Sequence, residues 1–161
     1  MSDILELLAP AIRRAETGGH ESPETARGAA GEYGMYQLMP KTAQHYNEKV
    51  KDNTDLLFDP KINESIAKSF MSDLLQKYDG DPWKAAYAYQ QGETRANKAF
   101  ATGEYSDKGK SYADKVVDDM SPDKVRQLNQ ILNGGAGINI TFPNVEMEDA
   151  PDIDNPAKAS P

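Results

Sequence analysis

The sequence predicts an all-α fold on two observations. Along several segments of the 161-residue chain, apolar residues recur every three to four positions, which is the period of an amphipathic helix. Residues typical of helix ends, such as Asp before Pro or consecutive glycines, stand at the borders of those segments. The length suits one domain with an adequate core and a short appendage.

The first predicted helix begins near Asp3, which can form a capping box with Glu6. Its apolar face consists of Ile4, Leu8, Ala11, Ile12 and Ala15. Pro10 either kinks this helix or begins a second one. Two consecutive glycines then end it, which leaves Glu16 in the last turn.

The clearest helix is predicted from about residue 63 to residue 78. Its core stripe consists of Ile66, Phe70, Leu74 and Tyr78, with Ala67, Met71 and Leu75 beside it. Such a stripe is typical of core packing and indicates no particular function. Shorter helical turns are expected earlier in the chain, around Pro40.

Three further helical segments are expected. Asp81 as cap and Pro82 as first helical residue begin the first of them, and Gly92 ends it. The second is an amphipathic segment whose apolar side consists of Tyr112, Val116, Val117 and Met120. The third, a last helix, is capped by Ser121 and Pro122. Its inward residues are Val125, Leu128, Ile131 and Leu132.

The composition changes at residue 133, so we predict a folded domain over residues 1–132 and a flexible tail over residues 133–161. The tail is rich in Gly and Pro and holds five acidic residues against one basic residue. One interpretation is a disordered segment that keeps the protein soluble. The other is a docking segment, because alternating Ile138, Ile140 and Phe142 could add to the sheet edge of a partner.

Composition excludes several classes of function. The chain has no cysteine and only two histidines, so we expect no metal site and no cofactor. A net charge of -8 argues against nucleic acid as a partner, because phosphate binding needs clustered cations. The first residues include acidic side chains where a signal peptide would be basic, so we do not expect them to form a signal peptide. No apolar stretch approaches the roughly twenty residues of a membrane helix.

Three polar segments stand out against the helical background. They are Glu16 with Thr17, the run GEYGMYQLMPKTA over residues 31–43, and AYAYQQGETR over residues 86–95. Glycines suit a backbone that approaches a ligand closely, and the side chain of Gln37 offers a ligand both hydrogen-bond donors and an acceptor. Together the segments resemble the catalytic acid and two active-site segments of the soluble lytic transglycosylase family, which cuts the glycan strands of peptidoglycan.

The resemblance covers roughly residues 4–120. Members carry the pattern Gly-x-x-Gly-x-x-Gln-x-x-Pro-x-Thr-Ala, which is matched by Gly31, Gly34, Gln37, Pro40, Thr42 and Ala43. Thr17 stands where most members have Ser after the catalytic Glu. The family's Ala-Tyr-Asn-Ala-Gly is matched over residues 88–92, with Tyr89 at the tyrosine and Gln90 replacing Asn. Tyr36 stands where members often have Met.

The resemblance implies a lysozyme-like helical domain of the goose type, with Glu16 as the catalytic residue. The residues that it implies for substrate binding are Thr17, Gly34, Tyr36, Gln37, Tyr89, Gln90 and Tyr112. The implied reaction cleaves the bond between N-acetylmuramic acid and N-acetylglucosamine and leaves a 1,6-anhydro end. One carboxyl group suffices, since the substrate's acetamido oxygen stabilises the anomeric centre.

Among the branches of this family, the segment YDGDPWKAAYAYQQGE over residues 78–93 looks most like transglycosylase domains of internal, ejected phage virion proteins. This resemblance implies a virion component that is delivered to the host periplasm without a signal peptide. Its partners would be peptidoglycan glycan strands and, through residues 133–161, other virion or ejection proteins.

Two alternatives remain open on the sequence. A hydrolytic goose-type lysozyme on the same fold would need a second carboxylate to activate water, and Glu32 is the best candidate. The family leaves that position variable, so the resemblance gives Glu32 no role. The second alternative is a non-catalytic virion or assembly protein that keeps the fold.

Overall fold

A computed structural model describes residues 2–120 of the chain. Its helices are α1 (Ser2–Thr17), α2 (Pro40–Tyr46), α3 (Pro60–Lys77), α4 (Pro82–Gln91), α5 (Glu93–Thr102) and α6 (Asp107–Asp118). Short 3₁₀ helices lie at Pro23–Thr25, Glu48–Lys51 and Thr54–Phe58. Extended pairing in these residues amounts to isolated bridges of Tyr33 with Arg27 and with Leu38. The predicted all-α class is confirmed.

The first helix is continuous through Pro10, so the alternative of a second helix beginning there is wrong. It starts at Ser2, which places Asp3 inside the first turn. There the negative charge of Asp3 interacts favourably with the helix dipole. The helix ends at Thr17 as expected. Gly18 donates its N–H to the carbonyl of Arg14 at 2.9 Å. A β-carbon at Gly18 would lie 2.5 Å from that carbonyl oxygen, so a larger residue would have to displace the backbone.

The α3 helix begins three residues before the predicted start. Asp59 accepts hydrogen bonds from the backbone N–H groups of Lys61 and Ile62, and Pro60 occupies the first helical position. The same device begins α4, where Asp81 accepts from the N–H groups of residues 83 and 84, as predicted. Both helices therefore start at a local Asp-Pro signal.

The α5 helix was not expected from the sequence. Gly92 ends α4 with a φ of 88° and also caps α5, so the two helices follow each other without a loop. The buried side of α5 is made of Ala96 and Ala99, with half-buried Phe100 beside them. Because alanine side chains are small, the apolar stripe is weak and the sequence shows little helical periodicity here.

The core lies among α1, α3, α4 and α6, which pack against one another around it. Its fully buried residues include Leu8, Ile12, Met71, Leu74, Leu75, Val116 and Val117. Each large side chain removed from water contributes about 1.5–3 kcal/mol. The predicted apolar side of α6 is confirmed, because Val116, Val117 and Met120 are all buried. This packing brings the end of α1 against the middle of α6.

Several predictions fall on residues 121–161, outside the described part of the chain. They are the last helix capped by Ser121, the boundary at residue 133 and the flexible tail. Among residues 2–120, no helix combines the length and apolar character needed to cross a bilayer.

Candidate active site

Glu16 lies in the last turn of α1, next to the point where the helix stops. Burial of its carboxyl group raises the pKa from 4.5 to about 7, since desolvation disfavours the charged form. At neutral pH a substantial fraction of this carboxyl group is therefore protonated. Proton donation by a carboxylic acid near neutral pH requires such a shift.

Tyr112 from α6 contacts this carboxyl group directly. Its hydroxyl donates a hydrogen bond to Oε2 of Glu16 over 3.2 Å. The bond favours the ionised carboxylate and so lowers the pKa of Glu16, against the larger effect of burial. In return, burial and the nearby Glu16 charge hold the pKa of Tyr112 well above its usual value, so its hydroxyl remains a donor.

Three other charges act on Glu16 without a hydrogen bond to it. Glu32 raises the pKa of Glu16 by like-charge repulsion, whereas Lys108 and Lys115 lower it. Both lysines are exposed on α6, where solvent screens them, and Glu32 is half-buried within the Gly-rich segment. From the sequence, Glu32 has a role only in the hydrolytic alternative, and the two lysines have none.

Thr17 joins α1 to the segment that carries the glycines. Its side chain is only 2% exposed, and its hydroxyl lies 2.7 Å from the carbonyl oxygen of Met35, to which it can donate. The carbonyl oxygen of Arg13 lies at 3.3 Å. This geometry places Thr17 behind Glu16 as a positioning residue, without the open hydroxyl that a direct substrate contact needs. It fixes residues 33–38 relative to the end of α1.

The Gly-rich segment forms a tight hairpin between Ala26 and Leu38. Tyr33 exchanges both of its backbone hydrogen bonds with Leu38, and Gly34 donates its N–H to the carbonyl of Ala26 at 2.8 Å. Gly34 has a φ of 78°, and a β-carbon there would lie 2.4 Å from Nδ2 of Asn63. Gly34 is thus required by backbone conformation and close packing, and it lies buried.

Asn63 is the anchor of this hairpin, a role that sequence analysis missed. Its side chain is fully buried and accepts from the N–H of Tyr36 at 3.0 Å. The amide nitrogen donates to the carbonyls of Tyr33 and Leu57, each at 2.9 Å. A lone Asn in an amphipathic helix offers no local signal for such bonds, because its partners lie 27, 30 and 6 positions away.

Gln37 is held in one orientation at the end of the hairpin. Its φ of 49° is unusual for a residue with a side chain. The amide nitrogen donates to the carbonyl oxygens of Gly34 at 2.8 Å and Ala26 at 3.3 Å. Since both donors are directed at backbone, the side-chain oxygen Oε1 is left for other contacts.

Tyr89 connects α4 to the same hairpin. Its hydroxyl donates to the backbone carbonyl of Tyr36 at 2.6 Å, and its ring lies 5.2 Å from that of Phe70. Burial and the charge of Glu16 hold the pKa of Tyr89 well above its usual value. Tyr36 is itself 2% exposed, so its side chain belongs to the core. Only its backbone takes part in this connection.

The structure therefore brings together most of the residues singled out from the sequence. Glu16 accepts a hydrogen bond from Tyr112, and its charge raises the pKa of Tyr89. Thr17 and Gln37 hydrogen bond to the backbone of the hairpin. Gln90 is half-buried at the second-last position of α4, and its side chain contacts Gln91. Glu16 is partly protonated at neutral pH, accepts a hydrogen bond from Tyr112 and lies near Tyr89. This arrangement is suited to general acid catalysis.

Comparison with known proteins gives a consistent result. A family model described as Transglycosylase SLT domain matches residues 2–112. The peptidoglycan transglycosylase gp16 of Escherichia phage T7 is 32% identical over 102 residues, which cover 58% of this chain and 8% of the phage protein.

Two solved structures share the fold. An inactive mutant of the lytic transglycosylase Slt from Pseudomonas aeruginosa superimposes with a TM-score of 0.62 at 22% identity, over 89% of this chain and 24% of that one. The 70 kDa soluble lytic transglycosylase from Escherichia coli gives a TM-score of 0.61 at 19% identity, over 74% and 24%. The chain thus spans about a quarter of each structure and a small part of the phage protein.

Proposed function

Because the chain belongs to the transglycosylase SLT domain family, we propose that it is a peptidoglycan lytic transglycosylase. It cleaves the β-1,4 bond between N-acetylmuramic acid and N-acetylglucosamine. The observation that carries this proposal is the carboxyl group of Glu16, whose burial raises its pKa to about 7 beside the hydroxyl of Tyr112. A carboxyl group with this pKa can both give and take a proton near neutral pH.

In the first step, protonated Glu16 donates its proton to the glycosidic oxygen as the bond to the anomeric carbon breaks. The acetamido oxygen of the muramic acid stabilises the positive charge that develops at that carbon. In the second step, ionised Glu16 removes the proton from the 6-hydroxyl of the same sugar. That oxygen closes onto the anomeric carbon, which gives a 1,6-anhydro ring and returns Glu16 to its protonated form without consuming water.

The surrounding residues supply positions rather than protons. Tyr112 holds Oε2 of Glu16 and stabilises the ionised form between the two steps. Tyr89 and Thr17 fix the hairpin against α4 and α1, and so fix the position of Gln37 within it. Gln37 presents its oxygen to the substrate, where it can accept from an acetamido N–H or a hydroxyl. Gln90 is proposed to bind substrate at the C-terminal end of α4.

A hydrolytic lysozyme remains the second candidate, favoured by one observation. Glu32 is close enough to raise the pKa of Glu16, so the site contains a second carboxylate. A water activated by Glu32 would give a free reducing end in place of the anhydro ring.

Digestion of purified peptidoglycan, followed by mass spectrometry of the released muropeptides, tests the proposal. The expected products are lighter by one water than lysozyme products and have no end that borohydride can reduce. Glu16→Gln should lower product release by about a hundredfold or more, the effect expected for loss of a general acid. Reducible muramic acid ends would establish the hydrolase instead, and Glu16→Gln with full activity would exclude Glu16 from the reaction.

We further propose that the protein acts from a phage virion on the host cell wall in the periplasm. The support is its similarity to a phage transglycosylase. Residues 133–161 are proposed to contact other virion proteins. Detection of the chain in purified virions by mass spectrometry tests this role, and a chain found only in lysates of infected cells would contradict it. A non-catalytic assembly protein would bind peptidoglycan or virion proteins but release no muropeptides.

A further inference from the structure

Two acceptor oxygens converge over the bare backbone of Gly28. A β-carbon at this residue would lie 1.5 Å from Oε2 of Glu32 and 2.7 Å from Oε1 of Gln37. The carboxylate of Glu32 thus occupies the space that a side chain at residue 28 would fill. Gln37 presents its oxygen from the other side of the same space.

Local backbone structure fixes this convergence. Gly28 donates its N–H to the carbonyl of Glu32 at 2.9 Å, and Gly31 donates to the carbonyl of Gly28 at 3.1 Å. This turn folds Glu32 back over Gly28. The amide of Gln37 cannot rotate without losing its bonds to Ala26 and Gly34, so its oxygen stays directed toward Glu32.

Both oxygens lack a donor within the described chain, because no N–H or O–H of residues 2–120 hydrogen bonds to either. Two acceptors at one place, one of them charged, attract a hydroxyl or amide N–H and repel a carboxylate. The lactyl group of a muramic acid unit ends in a free carboxylate in stem-free strands and in the amide-linked peptide stem in intact peptidoglycan. N-acetylglucosamine instead keeps a neutral 3-hydroxyl at that position. The place therefore suits the neutral sugar.

We propose that Glu32 is a specificity-determining residue, which together with Gln37 binds a hydroxyl or amide N–H of an N-acetylglucosamine unit over Gly28. This inference rests on the proposed function and deepens it. It gives a role to a side chain that the family resemblance leaves without one. It also separates Glu32 from water activation, since the carboxylate then accepts from the sugar and transfers no proton.

Binding of a chitin oligosaccharide, made only of N-acetylglucosamine, tests the proposal without any bond cleavage. The measurement is calorimetry on the full chain carrying Glu16→Gln. Adding Glu32→Ala should weaken binding about tenfold or more, as expected when a charge-assisted hydrogen bond is lost. Glu24→Ala is the matched control, because it removes a carboxylate from the 3₁₀ helix at Pro23–Thr25 and should leave affinity unchanged.

Gly28→Ala provides a second, independent variant, since its methyl group must displace the Glu32 carboxylate without removing it. It should weaken binding as Glu32→Ala does, and the two changes together should weaken it no further. Glu32→Gln keeps an acceptor but removes the charge. The wild-type affinity should be higher for chitin oligosaccharide than for an anionic glycan of alternating N-acetylmuramic acid and N-acetylglucosamine. Glu32→Gln should reduce the ratio of the two affinities.

A pH profile reports separately whether the charge of Glu32 acts on Glu16. Glu16 is faced by Tyr112, Lys108 and Lys115 from α6, by Tyr89 from α4 and by Glu32 from the loop. Removing the charge of Glu32 lowers the pKa of Glu16, so the alkaline limb of kcat should move to lower pH in Glu32→Gln.

Unchanged chitin affinity in both Glu32→Ala and Gly28→Ala would overturn the inference and would leave the proposed cleavage reaction standing. Failure of the wild-type protein to release anhydro muropeptides would overturn the proposed function instead. The binding experiment would still report on the two oxygens.

Discussion

The hydroxyl of Tyr112 donates to Oε2 of Glu16 over 3.2 Å, although 96 positions separate the two residues. The contact requires α6 to dock against the end of α1, so the acid is complete only in the folded domain. Burial raises the pKa of Glu16 and this bond lowers it, and the resulting value of about 7 shows that burial has the larger effect. The balance leaves both protonation states accessible at neutral pH.

Tyr112→Phe should move the alkaline limb of the pH–activity profile to higher pH. Activity needs protonated Glu16 and falls as pH rises through its pKa. Because the Tyr112 hydrogen bond lowers that pKa, its loss raises it. The measurement is kcat for release of anhydro muropeptides between pH 5 and pH 9. Tyr105→Phe, which removes a hydroxyl from the aromatic cluster with Trp83 and Tyr87, is the control and should leave the limb in place.

If the alkaline limb moves to higher pH in Tyr112→Phe and to lower pH in Glu32→Gln, Glu16 is supported as the titrating acid. A general loss of stability would not move the limb in opposite directions in the two variants. A shift of the limb to lower pH in Tyr112→Phe would contradict the assignment of Glu16 as the titrating acid.

Glu16→Gln should make the protein more stable than wild type at alkaline pH. The folded-state pKa of Glu16 is raised above its unfolded value of 4.5, so its protonated form is favoured by folding. The contribution of this group to the stability of the wild type is therefore fully present below pH 4.5 and is lost as pH rises through about 7. A neutral Gln avoids this loss, which amounts to about 2.5 kcal/mol between pH 5 and pH 9.

Urea unfolding of both proteins at the two pH values measures this difference. The gap between the variant and the wild type should widen with pH by about that amount. An equal difference in unfolding free energy at both pH values would mean that Glu16 has the same pKa in the folded and unfolded chain. That result would contradict a pKa raised by burial.

Local signals made parts of this fold predictable from the sequence. Asp81 before Pro82 and the glycines after Thr17 act on their own neighbours, so the borders that they set could be inferred. The segment around Gly31 and Gln37 could be placed by its resemblance to a family. These features need no knowledge of which helices touch.

The parts that escaped prediction depend on contacts between distant residues. Asn63 binds a hairpin about thirty positions earlier in the chain, and Glu32 gains its neighbours only when the turn folds over Gly28. Periodicity reports which side of a helix is apolar, but not what a polar side chain meets there. The missed α5 adds a second reason, because Ala96 and Ala99 bury little surface for a pattern to reveal.

Gly34→Ala should destabilise the protein much more than Gly31→Ala. Both glycines have a positive φ, of 78° and 99°, so both variants suffer backbone strain of about 1 kcal/mol or more. A β-carbon at Gly34 also lies 2.4 Å from Asn63 and 2.6 Å from the carbonyl of Leu57, whereas nothing lies within 4 Å at Gly31. Overpacking adds about 1–3 kcal/mol in a well-packed interior.

Thermal or urea unfolding compares the two variants, and activity follows the same order because Gly34 supports Gln37. Equal destabilisation would show that Asn63 can move away without cost, and that the anchor of the hairpin is weaker than its buried hydrogen bonds suggest.

Truncation after Leu132 should leave cleavage of isolated glycan strands unchanged. The residues proposed for catalysis and binding lie between Glu16 and Tyr112, and the matched family region ends at residue 112. The cut must stay beyond Met120, because that side chain is 2% exposed and belongs to the core.

Circular dichroism and muropeptide release from soluble strands provide the two measurements, with the full chain as control. A shortened protein that unfolds or loses this activity would place residues 133–161 in the catalytic domain, since soluble strands offer no virion partner to contact. Retained activity on strands, combined with loss from assembled virions, would assign the tail to docking.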